Sequence, residues 1–254
     1  MTHRVIQGET MLGIALRYGI SLEELMAANP EVDPRFLSID TELVIPLGEG
    51  SPPAFVMPTP VPVKIGELAC FPTGDRGAWC FWPVDNERSR PLENLSARIV
   101  LYSADGEFLA ESLAIPPLNL VPGEQSLPLV AYFPPPIPEE INPQGELITA
   151  LPVQRNDDRY LDAKVQIDES MIDPSGLQAT VRGQVSLPGN SAPATLIWLA
   201  GVAYGEDGRV VGVRKWEAVL ERPLAGGDPL PFELQVFSLG PPIQDVEVIP
   251  EARP

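Results

Sequence analysis

Histidine is almost missing from this chain: His3 is the one imidazole among 254 residues. A hydrolase triad needs a histidine held against its nucleophile, and a zinc site needs several nitrogen or sulfur ligands. His3 stands at the amino end, where order is not expected, and there are only two cysteines. Neither device is therefore expected. Basic residues are scarce too, 17 against 35 acidic ones, giving a net charge of −18 and a pI of about 4.3. Nucleic-acid recognition needs a basic patch, and none is visible. An anionic membrane would repel this surface, which reads as that of a soluble, self-repelling extracellular protein. No apolar run is long enough for a membrane-spanning helix. The most apolar stretch, Ala194 to Tyr204, reads as a buried core strand. No secretory leader stands before the first folded pattern, which starts almost at Met1, so a removed signal or another export route is expected.

The acidic excess raises two further possibilities, and neither has the right pattern. Asp157, Asp158 and Asp162 are the nearest approach to a calcium site, but they lack the spacing of a calcium loop. Paired carboxylates cleave glycans in many hydrolases. Among 35 acidic residues some pair lies close by chance, and none stands in a recognisable context. No glycine-rich phosphate loop occurs. The chain is expected to be no enzyme, with no catalytic residue, metal or cofactor.

Proline, by contrast, is abundant, with 31 residues. It has no amide hydrogen and marks edges, turns and linkers, so long helices are not expected beyond the first module. The length suits two or three small domains. The expected architecture is multidomain: a small α+β module of βααβ order over 1–47, a proline-rich linker over 48–62, and two tandem all-β sandwiches over 63–153 and 157–251.

The first module is the most legible part. Polar and apolar residues alternate from His3 to Gln7, as in a short strand, and Gly8 supplies a tight turn. Thr10 can cap the following helix by accepting a free first-turn amide. Met11, Leu12, Ala15 and Leu16 recur at helical spacing, and Gly19 ends the run. Ser21 to Glu24 forms a capping box for a second helix, buried through Leu22, Leu25 and Met26. Asn29-Pro30 ends it, and Leu43 to Pro46 is a second strand.

This stretch resembles the LysM family of peptidoglycan- and chitin-binding modules. The matching motifs are V-x-x-G-E-T at Val5 to Thr10, I-A-x-x-Y-G at Ile14 to Gly19, S-x-E-E-L at Ser21 to Leu25, Asn29, and L-x-I-P at Leu43 to Pro46. The family usually has Asp at the place of Glu9 and Gly-Gln at the place of Asp40-Thr41. Asp tolerates the left-handed backbone conformation better than most residues. The resemblance implies binding of an N-acetylglucosamine polymer between two segments. One holds Gly8, Glu9, Thr10, Met11 and Leu12; the other holds Asn29, Pro30, Leu37, Ser38, Ile39 and Asp40. Met11 and Ile39 are the residues expected to face the ligand. Gly8, Thr10, Leu12 and Leu37 also have turn, cap or core roles to fill.

Beyond the linker, two aromatic strands, Leu68 to Phe71 and Ala78 to Trp82, flank a glycine-bounded turn and read as a hairpin. Cys70 and Cys80 stand one on each arm. A register that pairs them puts Thr73 opposite Gly77, and a disulfide is expected, as in an oxidising compartment. Trp79 and Trp82 fall on opposite faces of a regular strand, and one of them is available to a partner. Trp198 is expected to be buried. Leu95 to Ser103 is a strand with Ala97, Ile99 and Leu101 on one face. Asp105-Gly106 is a hairpin signal, Glu107 to Ala110 returns, and Leu127 to Phe133 and Leu147 to Val153 follow. Pro134 to Pro138 is expected to cross between these last two and to stiffen the connection between sandwiches.

The second β-module repeats the plan. Gly201 to Val211 matches Ile99 to Leu109 at a shift of 102 residues, Tyr204 on Tyr102. Leu224 to Asp228 matches Leu120 to Glu124, Phe232 to Phe237 matches Pro128 to Phe133, and Pro241-Pro242-Ile243 echoes Pro135-Pro136-Ile137. Val246 to Ile249 is expected in the place of Leu147 to Leu151. Such a repeat means two copies of one fold. About seven short strands per copy favour an immunoglobulin-like sandwich. L-Y-S-A-D-G at Leu101 to Gly106 and A-Y-G-E-D-G at Ala203 to Gly208 resemble the FxLyD-type immunoglobulin-like modules of bacterial envelope proteins. The later Phe232-Glu233-Leu234 has Pro128-Leu129-Val130 as its counterpart in the first copy.

The expected function is non-catalytic glycan binding outside the cell or in its envelope, to peptidoglycan or a chitin-like polymer. The sandwiches would act as spacers or as a platform for protein partners. The alternative is a structural subunit of an extracellular assembly or filament, with sandwiches associating through exposed strand edges.

Overall fold

Strand pairing among the described residues is antiparallel, and it divides between two compact units, Met1–Thr59 and Pro60–Pro254. The computed structural model describes residues 1–5, 11–18, 20, 22–32, 37, 40–46, 60–155 and 157–254. The cap and stop positions Thr10, Gly19 and Ser21, and the greater part of the proline-rich linker, lie outside them.

In the first unit the order is β1 (Thr2–Arg4), α1 (Met11–Tyr18), α2 (Leu22–Ala27) and β2 (Glu42–Val44). β1 pairs with β2, Thr2 opposite Val44 and Arg4 opposite Glu42. Val5 extends the ladder, donating its amide to Thr41 and accepting from Asp40. Met11, Ile14 and Ala15 share one helical face, and with Val5, Ile20, Leu25, Leu43 and Ile45 they make a small core. His3 is not at a loose end, as its position led us to expect. It lies within β1 opposite Leu43, and its Nδ1 is 2.9 Å from the Tyr18 hydroxyl.

The second unit contains four sheets in two pairs. Its first half has β3 (Lys64–Ile65), β4 (Ala69–Pro72), β5 (Ala78–Asn86), β6 (Leu92–Ser103), β7 (Phe108–Ala114), β8 (Leu120–Val121), β9 (Gln125–Phe133) and β10 (Ile141–Pro152). β5 is flanked by β9 on one edge and by β3 and β4 on the other; β6 is flanked by β10 and by β7 with β8. Inward residues of both sheets, among them Trp82, Val84, Ala97, Ile99, Leu101, Leu127 and Leu129, form one core. The second half has β11 (Lys164–Ile172), β12 (Gln178–Ser186), β13 (Ala194–Tyr204), β14 (Val210–Leu224), β15 (Pro229–Phe237) and β16 (Asp245–Arg253). Its sheets run β11-β12-β15 and β14-β13-β16. The expected seven strands are six here and eight in the first half.

The repeat is visible bond by bond. Ser103 donates its amide to Glu107 and Gly106 donates to Ser103; 102 residues on, Gly205 donates to Arg209 and Gly208 to Gly205. Both turns need a left-handed glycine, with φ of 81° at Gly106 and 76° at Gly208. The amide of Ile137 donates to the Arg76 carbonyl, as that of Ile243 does to Gly176, and both isoleucines are buried. Pro134 to Pro138 therefore runs inside the first β-module, closing it under the Arg76 turn, and does not join the two modules.

One register differs from expectation. β10 begins at Ile141, six residues before the expected start at Leu147. Leu147 pairs with Ala97, whereas its counterpart opposite Leu199 is Pro250, so Val246 to Ile249 matches the earlier part of β10 and not Leu147 to Leu151. Asn142-Pro143-Gln144-Gly145 pairs with β6 along its length. Gly145 serves there because a Cβ would lie 2.5 Å from the Trp82 ring.

The two β-modules share packing. Ala200, Val202, Val210 and Ile249, on the outer face of β14-β13-β16, join the core of the first module, and Phe71 belongs to both cores. β13 is thus apolar on both faces, which explains the length of the run Ala194 to Tyr204. Trp198 is only half-buried, contrary to expectation. It lies on that outer face, with Lys215 Nζ 3.3 Å from its ring centroid.

Candidate functional site

Among the described residues, the expected glycan site divides between side chains that hold the module together and side chains left at its surface. Met11 opens α1 and is 2% exposed. Its place is the core, packed with Ile14 and Leu25, and not the floor of a groove as its position suggested. The helical stripe that begins at Met11 accounts for this, because its first member faces inward with Ile14 and Ala15. Leu12 lies in α1, with its side chain outside the described residues.

Asn29 is also an interior residue, 6% exposed. Its amide nitrogen donates to the carbonyls of Leu25 and Val44, each at 2.8 Å, and its side-chain oxygen accepts the Val44 amide at 2.7 Å. The side chain thus ties the end of α2 to β2. That role follows from burial, since a buried amide must find partners for both ends. Leu37 is half-buried against the same core. Pro30 and Asp40 are exposed. Asp40 has φ of 67°, the left-handed conformation expected where the family usually carries glycine. Arg4 lies 3.9 Å from its carboxylate, with both side chains largely in solvent. Gly8, Glu9, Thr10, Ser38 and Ile39 lie outside the described residues.

The hairpin of the second unit has the expected register. Cys70 pairs with Cys80, and the two form a disulfide with their Cα atoms 4.0 Å apart. The Thr73 amide donates to Gly77 at 2.9 Å. Trp79 is half-buried, its ring centroid 4.9 Å from that of Tyr132, while Trp82 faces the core.

Two polar clusters in this unit escaped the sequence reading. At the joint between the β-modules, Arg159 bonds Glu93 at 2.9 Å and Asp157 at 2.9 Å, and Tyr160 donates its hydroxyl to Glu93 at 3.0 Å. The Arg159 guanidinium holds the Asp157 carboxyl below the usual carboxylate range. Asp157 is therefore committed to an ion pair and not to a cation site. The other cluster lines a cleft of about 890 Å³ that includes Asp85, Tyr204, Asp207, Arg209, Asp245 and Glu247. Tyr204 donates to Glu247 at 3.2 Å, and burial followed by the nearby Glu247 charge pushes its hydroxyl pKa up. Arg209 is held by Asp207 and Glu67. Among the described residues no group of three or more His, Cys, Asp or Glu side chains could hold a metal ion. Among the same residues no helix is long and apolar enough to cross a membrane.

The described residues are thus predominantly β, arranged in several antiparallel sheets. Residues 3–46 match the family described as LysM domain. The match covers the same stretch as the motifs, from β1 through the end of β2. No curated protein sequence matches the chain. Among solved structures, a red sea bream transglutaminase is 12% identical, with a TM-score of 0.23, covering 75% of this chain and 29% of its own. A calcium-binding mutant of β-glucuronidase 2 from Bacteroides uniformis is also 12% identical, with a TM-score of 0.19, covering 94% of this chain and 28% of its own. The chain spans less than a third of either structure.

Proposed function

We propose that this chain is a non-catalytic protein of the cell envelope or extracellular space that binds N-acetylglucosamine-containing glycan, peptidoglycan or a chitin-like polymer, through residues 3–46. The observation that carries this reading is the LysM match over that whole stretch. The binding surface consists of Gly8, Glu9, Thr10 and Leu12 on one segment and Pro30, Ser38, Ile39 and Asp40 on the other. Met11 and Asn29 support it from within. The two β-modules are immunoglobulin-like sandwiches of the FxLyD type, and they serve as a platform held at the end of a proline-rich spacer. Their shared core favours a firm platform over two loosely strung beads. The disulfide fits an oxidising location.

The test is co-sedimentation of the intact chain with insoluble peptidoglycan and with chitin. The comparison variant is Pro30→Glu/Ile39→Asp, at two of the residues proposed to face the glycan; Met11 stays, because truncating it would open the core. Binding by the intact chain and its loss in a folded variant is the expected result. No retention on either polymer would remove the glycan reading.

A further inference from the structure

The internal repeat supplies its own comparison for strand edges. β11 stands at the edge of its sheet, paired with β12 on one side and, among the described residues, with no strand on the other. The same place in the first β-module is broken into β3, of two residues, and β4, of four, with Gly66 between them and Pro72 at the end. Such interruptions blunt an edge against pairing. β11 is instead a nine-residue strand without proline.

Its inner face is also incompletely covered. Val165 and Ile167 stand opposite Val185 and Gly183 of β12, on the core side, yet Ile167 is 44% exposed. On the outer face Lys164 has no ion-pair partner among the described residues. Asp168 accepts only from the amides of Gln166, at 3.2 Å, and Gln184, at 3.5 Å. An aspartate bonded to Gln166 and to Gln184, its cross-strand neighbour, shares their face.

We propose that β11 is a self-pairing edge, and that two copies of this chain join antiparallel through it about a twofold axis at Gln166. The pattern Lys164-Val165-Gln166-Ile167-Asp168 is complementary to its own reverse. In this register Lys164 faces the partner's Asp168, Gln166 faces the partner's Gln166, and Val165 faces the partner's Ile167, each pairing on its own side of the sheet. The β-bulge between Ile167 and Glu169 and the flanking charges oppose other registers, since a shift by two residues sets like charge or uncharged residues against Lys164 and Asp168. The result is one continuous six-stranded sheet with the exposed Ile167 covered. The edge is short and each chain carries −18, so the dimer is weak and concentration-dependent. This proposal stands apart from glycan binding, and either can fail alone.

Sedimentation velocity of the intact chain over a range of concentrations tests it. The expected result is a monomer–dimer equilibrium, weakened roughly tenfold or more by Lys164→Asp and equally by Asp168→Lys. These side chains are exposed, and circular dichroism would check that each variant folds. Mixing the two variants should restore a dimer, because every charge in the mixed pair is again opposed. Gln166→Cys should cross-link to its own copy under oxidation, whereas Glu169→Cys should not. A chain that stays monomeric throughout, a dimer indifferent to both charge changes, or a mixture that does not re-pair would each overturn the proposal.

Discussion

The carboxylate of Glu251, on the last strand, accepts the backbone amide of Leu120 in the first β-module at 3.1 Å. The same oxygen accepts the Asn119 amide at 2.7 Å, and the other oxygen takes Arg253 Nε at 2.7 Å. Glu251 is 2% exposed, so these bonds are made away from water. Glu251→Ala would leave two amides and a guanidinium without their acceptor, at a cost of about 3 kcal/mol. The shared core should loosen with it. Urea unfolding followed by tryptophan fluorescence would show a lower midpoint, and proteolysis would begin between the β-modules. An unchanged midpoint would mean that apolar packing alone holds the joint.

A second prediction concerns acid. Asp157 has its pKa lowered, chiefly by the hydrogen bond from Arg159. A carboxyl with a depressed folded-state pKa adds stability above its unfolded value, near 3.9. That contribution is lost as pH falls from there through the folded value. The intact chain should therefore lose stability below about pH 4 more steeply than Asp157→Asn, which has nothing there to titrate. Parallel acid-dependent slopes in thermal melts of the two proteins would sink this.

Asn29 offers a third. Asn29→Ala removes three hydrogen bonds, one to Leu25 of α2 and two to Val44 of β2, and should cost the first unit about 2–3 kcal/mol. Amide exchange at Val44, whose hydrogen is held by the Asn29 side chain, should accelerate more than at any position in the second unit. If Val44 stayed protected while glycan binding fell, Asn29 would be acting at the surface and not from within.

The fourth concerns the hairpin. Cys70 and Cys80 are separated by 10 residues, so closing their loop restricts the unfolded chain by about 2.5 kcal/mol. The double variant Cys70→Ala/Cys80→Ala should lower the unfolding midpoint of the second unit and leave the first unit's exchange rates unchanged. Because Phe71 belongs to both β-module cores, the loss should spread to the joint.

What could be read in advance follows the chemistry of single residues. Gly106 and Gly208 announced matching turns because only a left-handed residue closes them, and Cys70 with Cys80 fixed a register because a covalent bond admits one pairing. The site was less legible. Met11 is placed by helical phase, which turns an apolar residue at the edge of a loop into a core residue. Asn29 reads as a helix stop until its three partners are seen. The early start of β10 was not legible, because the close approach of Trp82 to Gly145 joins residues 63 positions apart in sequence. The run Ala194 to Tyr204 was read as a single core strand because the sequence does not show that β13 has two apolar neighbours, one in each module.

The β-modules meet through unlike surfaces: the first contributes the side of β5 near Phe71 and Phe81, the second the outer face of β14-β13-β16. Growth by that rule has no built-in end, since a third copy could stack on either remaining face. Both remaining faces carry the same stop. On the middle strand of one sheet, Arg98 lies 2.7 Å from Glu146 and 3.9 Å from Glu111; on the middle strand of the other, Arg182 lies 2.8 Å from both Glu169 and Glu233. A guanidinium held between two carboxylates stays hydrated more readily than it enters a dry interface. Such faces oppose the stacking of a further copy, as the polar end repeats of a solenoid do.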